Sequence, residues 1–263
     1  MMMLLCVLAA PLRAQPSEAL RVSADNLSVA FSEISARARP AAPAHRVRPL
    51  HNPDTLPENC ANLPVVAIRN GEIFKNGTRL GRGATSYQAN CDGMVAWQDS
   101  SGDLYRDASR IGNRVSQYHI AWYGDVLVWS DSSGRLRRND DDLGHVISYY
   151  FVKYTGDVVW KDSWGDLFHN REKYGRAQNY RVAARTGDVA WTDSFADLHR
   201  NGLKLGRASR WEISDRTGDV AWLDSYRNLY RNGAKVGSDV NQFTLREDGR
   251  IIWVDSWGNT HSA

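Results

Sequence analysis

From Val65 onward the apolar residues fall in short alternating bursts separated by turn-forming clusters, the pattern of short β-strands. One unit reads in full over residues 210–237. Trp211-Glu212-Ile213-Ser214 alternates like a strand, Thr217-Gly218-Asp219 turns, and Val220-Ala221-Trp222 is a short apolar strand. Asp224-Ser225-Tyr226-Arg227 turns again, residues 228–231 return, and Asn232-Gly233 opens the hairpin to a last strand ending at Val236-Gly237. Both central residues of a type I′ turn need positive φ, which favours Asn-Gly, and the dipeptide recurs at Asn76-Gly77 and Asn201-Gly202.

The unit repeats. Trp97, Trp129, Trp160, Trp191, Trp222 and Trp253 stand 32, 31, 31, 31 and 31 residues apart, each followed two positions later by Asp99, Asp131, Asp162, Asp193, Asp224 or Asp255 and then by Ser. A fixed period of this length marks a repeat architecture, and four antiparallel strands fit one propeller blade. The expected fold is all-β: a six-bladed β-propeller of about 31-residue, four-stranded blades spanning 65–263. Residues 65–81 hold third and fourth strands behind an irregular start, and residues 242–263 hold first and second strands and the stub of a third. Pairing of the N- and C-terminal strands in one shared blade closes the ring and removes open edges. The alternative, seven blades, puts the two ends in separate sheets.

The phrase Asp215-Arg216-Thr217-Gly218-Asp219-Val220-Ala221-Trp222-Leu223-Asp224-Ser225 resembles the TolB-type propeller repeat. The Trp-x-Asp-Ser-x-Gly-x-Leu-Tyr phrase is similar to tectonin-type lectin repeats. The resemblance covers about three quarters of the chain and implies a propeller, with no partner carried over residue by residue.

Ahead of the repeats, residues 1–14 read as a secretory signal peptide, with an apolar run through Ala10 that is too short to span a bilayer. Residues 15–64 read as an extension or linker. Within it, 18–36 can form a weak amphipathic helix, and the Pro-, Ala-, Arg- and His-rich part from 37 favours extended backbone. The signal implies a secreted or periplasmic protein. Removal of Cys6 with it leaves Cys60 and Cys91, either bonded as a staple or free as buried thiols.

Composition changes this picture little. The 33 basic and 30 acidic side chains are scattered, with no basic stripe, so nucleic acid is not an expected partner. No Gly-x-Ser-x-Gly elbow, His-Glu-x-x-His pair or phosphate loop is present, and the seven histidines do not all recur at one repeat position, so no ring of them is implied. The reading is of a non-catalytic, monomeric binding scaffold without cofactor or metal. A hydrolase or lyase with residues gathered at a central channel is kept as a third reading. The Asp-Ser turns could be calcium loops, but Arg135, Asn228 and Asn259 replace the second Asp, so the Asp residues are expected to bond their own turn amides.

The six tryptophans are expected to pack between blades. The residue after Asp-Ser is the better functional candidate. It reads Ser101, Ser133, Trp164, Phe195, Tyr226 and Trp257, so four consecutive units carry an aromatic ring at a loop tip. If exposed, these rings form a ligand-binding surface for a protein or a surface polymer; if folded down, they are lids on the core. The leading alternative function is a multivalent carbohydrate-binding lectin with one sugar site per blade.

Overall fold

A computed structural model describes Pro57, Cys60 and residues 62–263, all in one compact unit. The expected signal peptide at 1–14, the expected helix at 18–36 and most of the expected linker lie outside the described residues. The described chain is a succession of seven antiparallel sheets, each formed by strands adjacent in sequence. Sheets 2 to 6 have four strands and occupy 84–112, 115–145, 148–176, 179–207 and 210–237. Sheet 1, at 66–82, and sheet 7, at 240–262, have three each.

Seven is therefore the blade count, the alternative to the six expected. Sheet 1 keeps Val66–Arg69, Glu72–Lys75 and Thr78–Arg82 to itself, and sheet 7 keeps Val240–Leu245, Ile251–Asp255 and Thr260–Ser262. Among the described residues no strand pairing joins the two, so the shared closing blade is not formed. Strand register explains the miscount. Ile73 of sheet 1 is buried at the place of Leu104, which makes Val66–Arg69 a second strand with Ala67 where the other sheets carry tryptophan. Without the tryptophan or the Asp-Ser turn, the strand is unrecognisable in sequence.

Packing follows the same repeat. Each tryptophan points back at the preceding sheet and lies on the glycine of its fourth strand: Trp97 on Gly81, Trp129 on Gly112, Trp160 on Gly144, Trp191 on Gly175, Trp222 on Gly206 and Trp253 on Gly237. The approach is close enough that a Cβ on Gly81 or Gly206 would stand 2.5 Å from the indole. A leucine of the preceding third strand, such as Leu104, Leu136, Leu167, Leu198 or Leu229, fills the rest of the interface and is fully buried. Six hydrophobic clusters result, one between each pair of consecutive sheets. None of them joins sheet 7 to sheet 1 among the described residues.

On the other flank of each indole lies the side chain eight positions after the tryptophan, the place of the tyrosine in the Trp-x-Asp-Ser-x-Gly-x-Leu-Tyr phrase, whose packing role was not assigned from sequence. Tyr105, Phe168, His199 and Tyr230 stack nearly parallel on Trp97, Trp160, Trp191 and Trp222 with ring centroids 4.1, 4.1, 4.0 and 4.2 Å apart. His261 stacks on Trp253 at 5.4 Å, and the Arg137 guanidinium sits 5.5 Å from the Trp129 ring. A cross-strand pair of this kind contributes roughly 0.5–1.5 kcal/mol beyond the area it buries.

Cys60 and Cys91 form a disulfide across 31 residues, the length of the repeat. Cys91 and Trp122 are also one repeat apart, and there the link is a backbone hydrogen bond from Cys91 N–H to the Trp122 carbonyl. The covalent bond thus ties the chain leading into sheet 1 to the place in sheet 2 where later sheets are tied only by hydrogen bonds.

Candidate functional site

The loop tips are built by one device used six times. In each turn the aspartate Oδ1 accepts from the backbone N–H two residues on and from the N–H four residues on, at 2.8–3.0 Å: Asp99, Asp131, Asp162, Asp193, Asp224 and Asp255. The residue after the tip has positive φ in every copy. It is Gly102, Gly134, Gly165 and Gly258 in four, but Ala196 and Arg227 in two, at 61° and 65°. A non-glycine residue held there shows that the clamp imposes the geometry of the turn.

These carboxylates are committed to the fold. Asp255 is held down at about 2 by the His261 ring 2.9 Å from its Oδ2, with further bonds from the Asn259 and Trp257 amides. At Asp131, Asp193 and Asp224 desolvation works to raise the carboxyl, and the accepted hydrogen bonds outweigh it, so each lies below its ordinary range. The His199–Asp193 and His261–Asp255 pairs both lie within one sheet, each imidazole stacked on a tryptophan. Their geometry is that of turn and core support.

Between the clamped amides, the tip side chain itself is free to project. Trp164, Phe195, Tyr226 and Trp257 are 74%, 71%, 81% and 75% exposed, while Trp97, Trp129, Trp160, Trp191, Trp222 and Trp253 are all buried. The tips are therefore not lids. Tip N–H groups, clamp and positive-φ residue fix the backbone beneath each ring, so four large aromatic side chains stand on rigid supports.

Their placement in a row follows from the stacking. Consecutive sheets repeat the same tryptophan-on-glycine contact, so turns at equivalent positions lie along one edge of the stack. Each is bonded to the connection that enters the next sheet or leaves the previous one: Ala177 N–H to the Gly165 carbonyl, Ala208 to Ala196, Val240 to Arg227, and Ser256 to Asp239. Exposed Arg176 and Arg207 end the fourth strands beside the tips of sheets 4 and 5. At the other end of the edge Ser101 replaces the aromatic ring, and an open depression of about 530 Å³ is lined by Arg82, Asp99, Ser100, Ser101 and Tyr105.

Fold and site together define a propeller-type β-repeat protein whose turn edge carries exposed aromatics in four consecutive blades. No family model matches the chain, and no curated protein matches it. Among solved structures it is similar to a chain of "Crystal Structure of Mitotic Checkpoint Complex", at 12% identity over 88% of this chain and 98% of that one, with a TM-score of 0.28. It is similar to Kluyvelomyces marxianus Hsv2 at 12% identity over 70% and 81%, TM-score 0.33, and to the WD40 β-propeller domain of Doa1 at 11% identity over 77% and 90%, TM-score 0.27. Superpositions this loose have no bearing on ligand or partner. Among the described residues no helix is long and apolar enough to cross a membrane.

Proposed function

We propose that the protein is an exported, non-catalytic binding scaffold that engages its partner through the row Trp164, Phe195, Tyr226 and Trp257. The observation that carries this reading is their exposure, 71–81%, on turns that need no aromatic residue for their own stability. Ser101 and Ser133 occupy the same position in turns closed by the same hydrogen bonds. Large rigid rings provide contact area at small entropy cost, and a contiguous set of them on one edge is costly to leave in water without a use. Export is supported by the apolar start of the sequence and by the Cys60–Cys91 disulfide, a bond that persists in oxidising compartments.

The test replaces all four rings by Ser and measures retention on a panel of immobilised surface polymers and envelope proteins beside the unaltered chain. Retention should vanish while far-UV circular dichroism stays the same. Equal retention by both chains would remove the row from the binding surface. The lectin reading, one equivalent sugar site per repeat, draws on the repetition of the polar turns. It fits less well, because the tip residue changes from Ser to Trp along the chain.

A further inference from the structure

Resting on the tip-row reading, we propose that the ligand is an acidic glycan polymer, one chain laid along the edge of sheets 4 to 7. Its sugar rings stack on Trp164, Phe195, Tyr226 and Trp257, and its carboxylates meet Arg176, Arg207 and Arg227. Two independent features point to this chemistry.

The first is periodicity. Four rings at equivalent positions of stacked repeats offer the same contact again and again along one line, and a ligand able to use each of them is itself a repeating chain. The C–H-lined face of a pyranose ring meets the electron-rich face of an aromatic ring favourably, and Trp, Tyr and Phe all supply such a face.

The second is charge. Arg176 and Arg207 lie across the strand pair from Asp166 and Asp197, but those carboxylates are already taken by Lys173 and Lys204, each at 2.6 Å. The Arg207 Nε comes no nearer to Asp197 than 3.9 Å, and its side chain is 69% exposed. The stem of Arg176 lies against Gly165, the residue after Trp164. Arg227 follows Tyr226 directly and donates to the Asn241 side chain at 2.9 Å, a neutral partner that leaves its charge uncompensated. The clamp aspartates at the base of the turns keep their negative charge while their Oδ1 atoms accept from turn amides, so Asp162, Asp193 and Asp224 oppose an anion from below and only the outward guanidiniums of Arg176, Arg207 and Arg227 can meet one. Exposed Asp239, at the connection into sheet 7, adds a further opposing charge there, so the guanidiniums of sheets 4 and 5 are the ones best placed to meet an anion. A planar guanidinium pairs with a carboxylate through two parallel hydrogen bonds.

The experiment titrates the full chain with polygalacturonate, its fully methyl-esterified form and polyglutamate, at 50 and 500 mM NaCl. Polygalacturonate should bind best, losing roughly 10-fold in affinity at the higher salt. Arg176→Gln with Arg207→Gln should weaken it by about 10-fold without altering the thermal melt, the combined loss expected for two solvent-exposed charge contacts. Equal, salt-independent binding of the esterified polymer would overturn the acidic preference and leave the tip row standing. Equal binding of polyglutamate would overturn the glycan, and silence toward all three polymers would overturn the proposal as a whole. Binding of polygalacturonate undiminished by Ser at all four tips would instead refute the tip-row reading on which it rests.

Discussion

At the scale of single residues the turn aspartates act as backbone clamps, and this sets a pH dependence. A carboxyl whose folded-state pKa is depressed contributes stability above its unfolded value and loses it as pH falls through the folded value. Asp131, Asp193, Asp224 and Asp255 are all depressed from an ordinary value of 3.8, Asp255 to about 2. Their contribution is thus complete above about pH 4 and disappears toward pH 2. Melting temperatures measured from pH 6 to pH 2 should hold steady at first and then fall across that lower window. Asp224→Ala should lower the melting temperature at pH 6 and flatten the acid slope, and an unchanged slope would mean that the clamp is not coupled to folding.

The same clamps show how far the sequence could be read at this scale. The bond from aspartate to its own turn was legible because Asp, Ser and the turn residues recur in register. The stacking role of the eighth position was missed because, beyond the Tyr of the repeat phrase, its identity varies among Tyr, Arg, Phe and His. Their signal was position alone, eight residues after each tryptophan.

At the scale of the sheet, stability rests on the indole-on-glycine contact. Gly81→Ala would drive a methyl group into the Trp97 ring, which is buried and stacked on Tyr105 and cannot yield. A cost of about 1–3 kcal/mol is expected in chemical denaturation, where substitution of an exposed strand residue such as Arg79 should be silent. Gly81 was recognised in the sequence only as the end of a hairpin strand. Its real constraint, the ring of the following repeat, emerges once the sheets are stacked.

Sheet 1 depends on a further tie. It carries Ala67 instead of a tryptophan, and the disulfide closes a loop of one repeat length around it. Loop-closure entropy assigns such a link about 3–4 kcal/mol. Because each sheet packs on its sequence neighbours, the effect of reduction should be local. In hydrogen exchange, Cys91→Ser should speed exchange over 66–82 much more than over 210–237, and uniform acceleration would show that the array unfolds as one unit.

At the scale of the molecule, the seven sheets of the described residues are coupled through six interfaces. The end sheets depart from the repeat where an inner sheet would engage its next neighbour. Ala67 takes the tryptophan's place in sheet 1, and exposed Thr260 takes the leucine's place in sheet 7. The six tryptophans were enough to read the repeat and the strand order from sequence. They could not reveal the seventh sheet, because sheet 1 carries Ala67 in the place of the tryptophan being counted. The tip row was legible as a pattern, whereas its exposure depended on the clamped turn.

Architecture and recognition thus reside in different tryptophans, and in two sheets a buried and an exposed one lie four positions apart, Trp160 with Trp164 and Trp253 with Trp257. Thermal melting of Trp253→Ser beside Trp257→Ser tests the separation directly. Trp257→Ser should melt within about 2 °C of the unaltered chain, as a substitution of an exposed residue does, and Trp253→Ser at least about 6 °C lower, since emptying a buried indole site costs about 3–5 kcal/mol. If Trp257→Ser melted as early as Trp253→Ser, the tips would belong to the packing, and the row would lose its claim to be a binding surface.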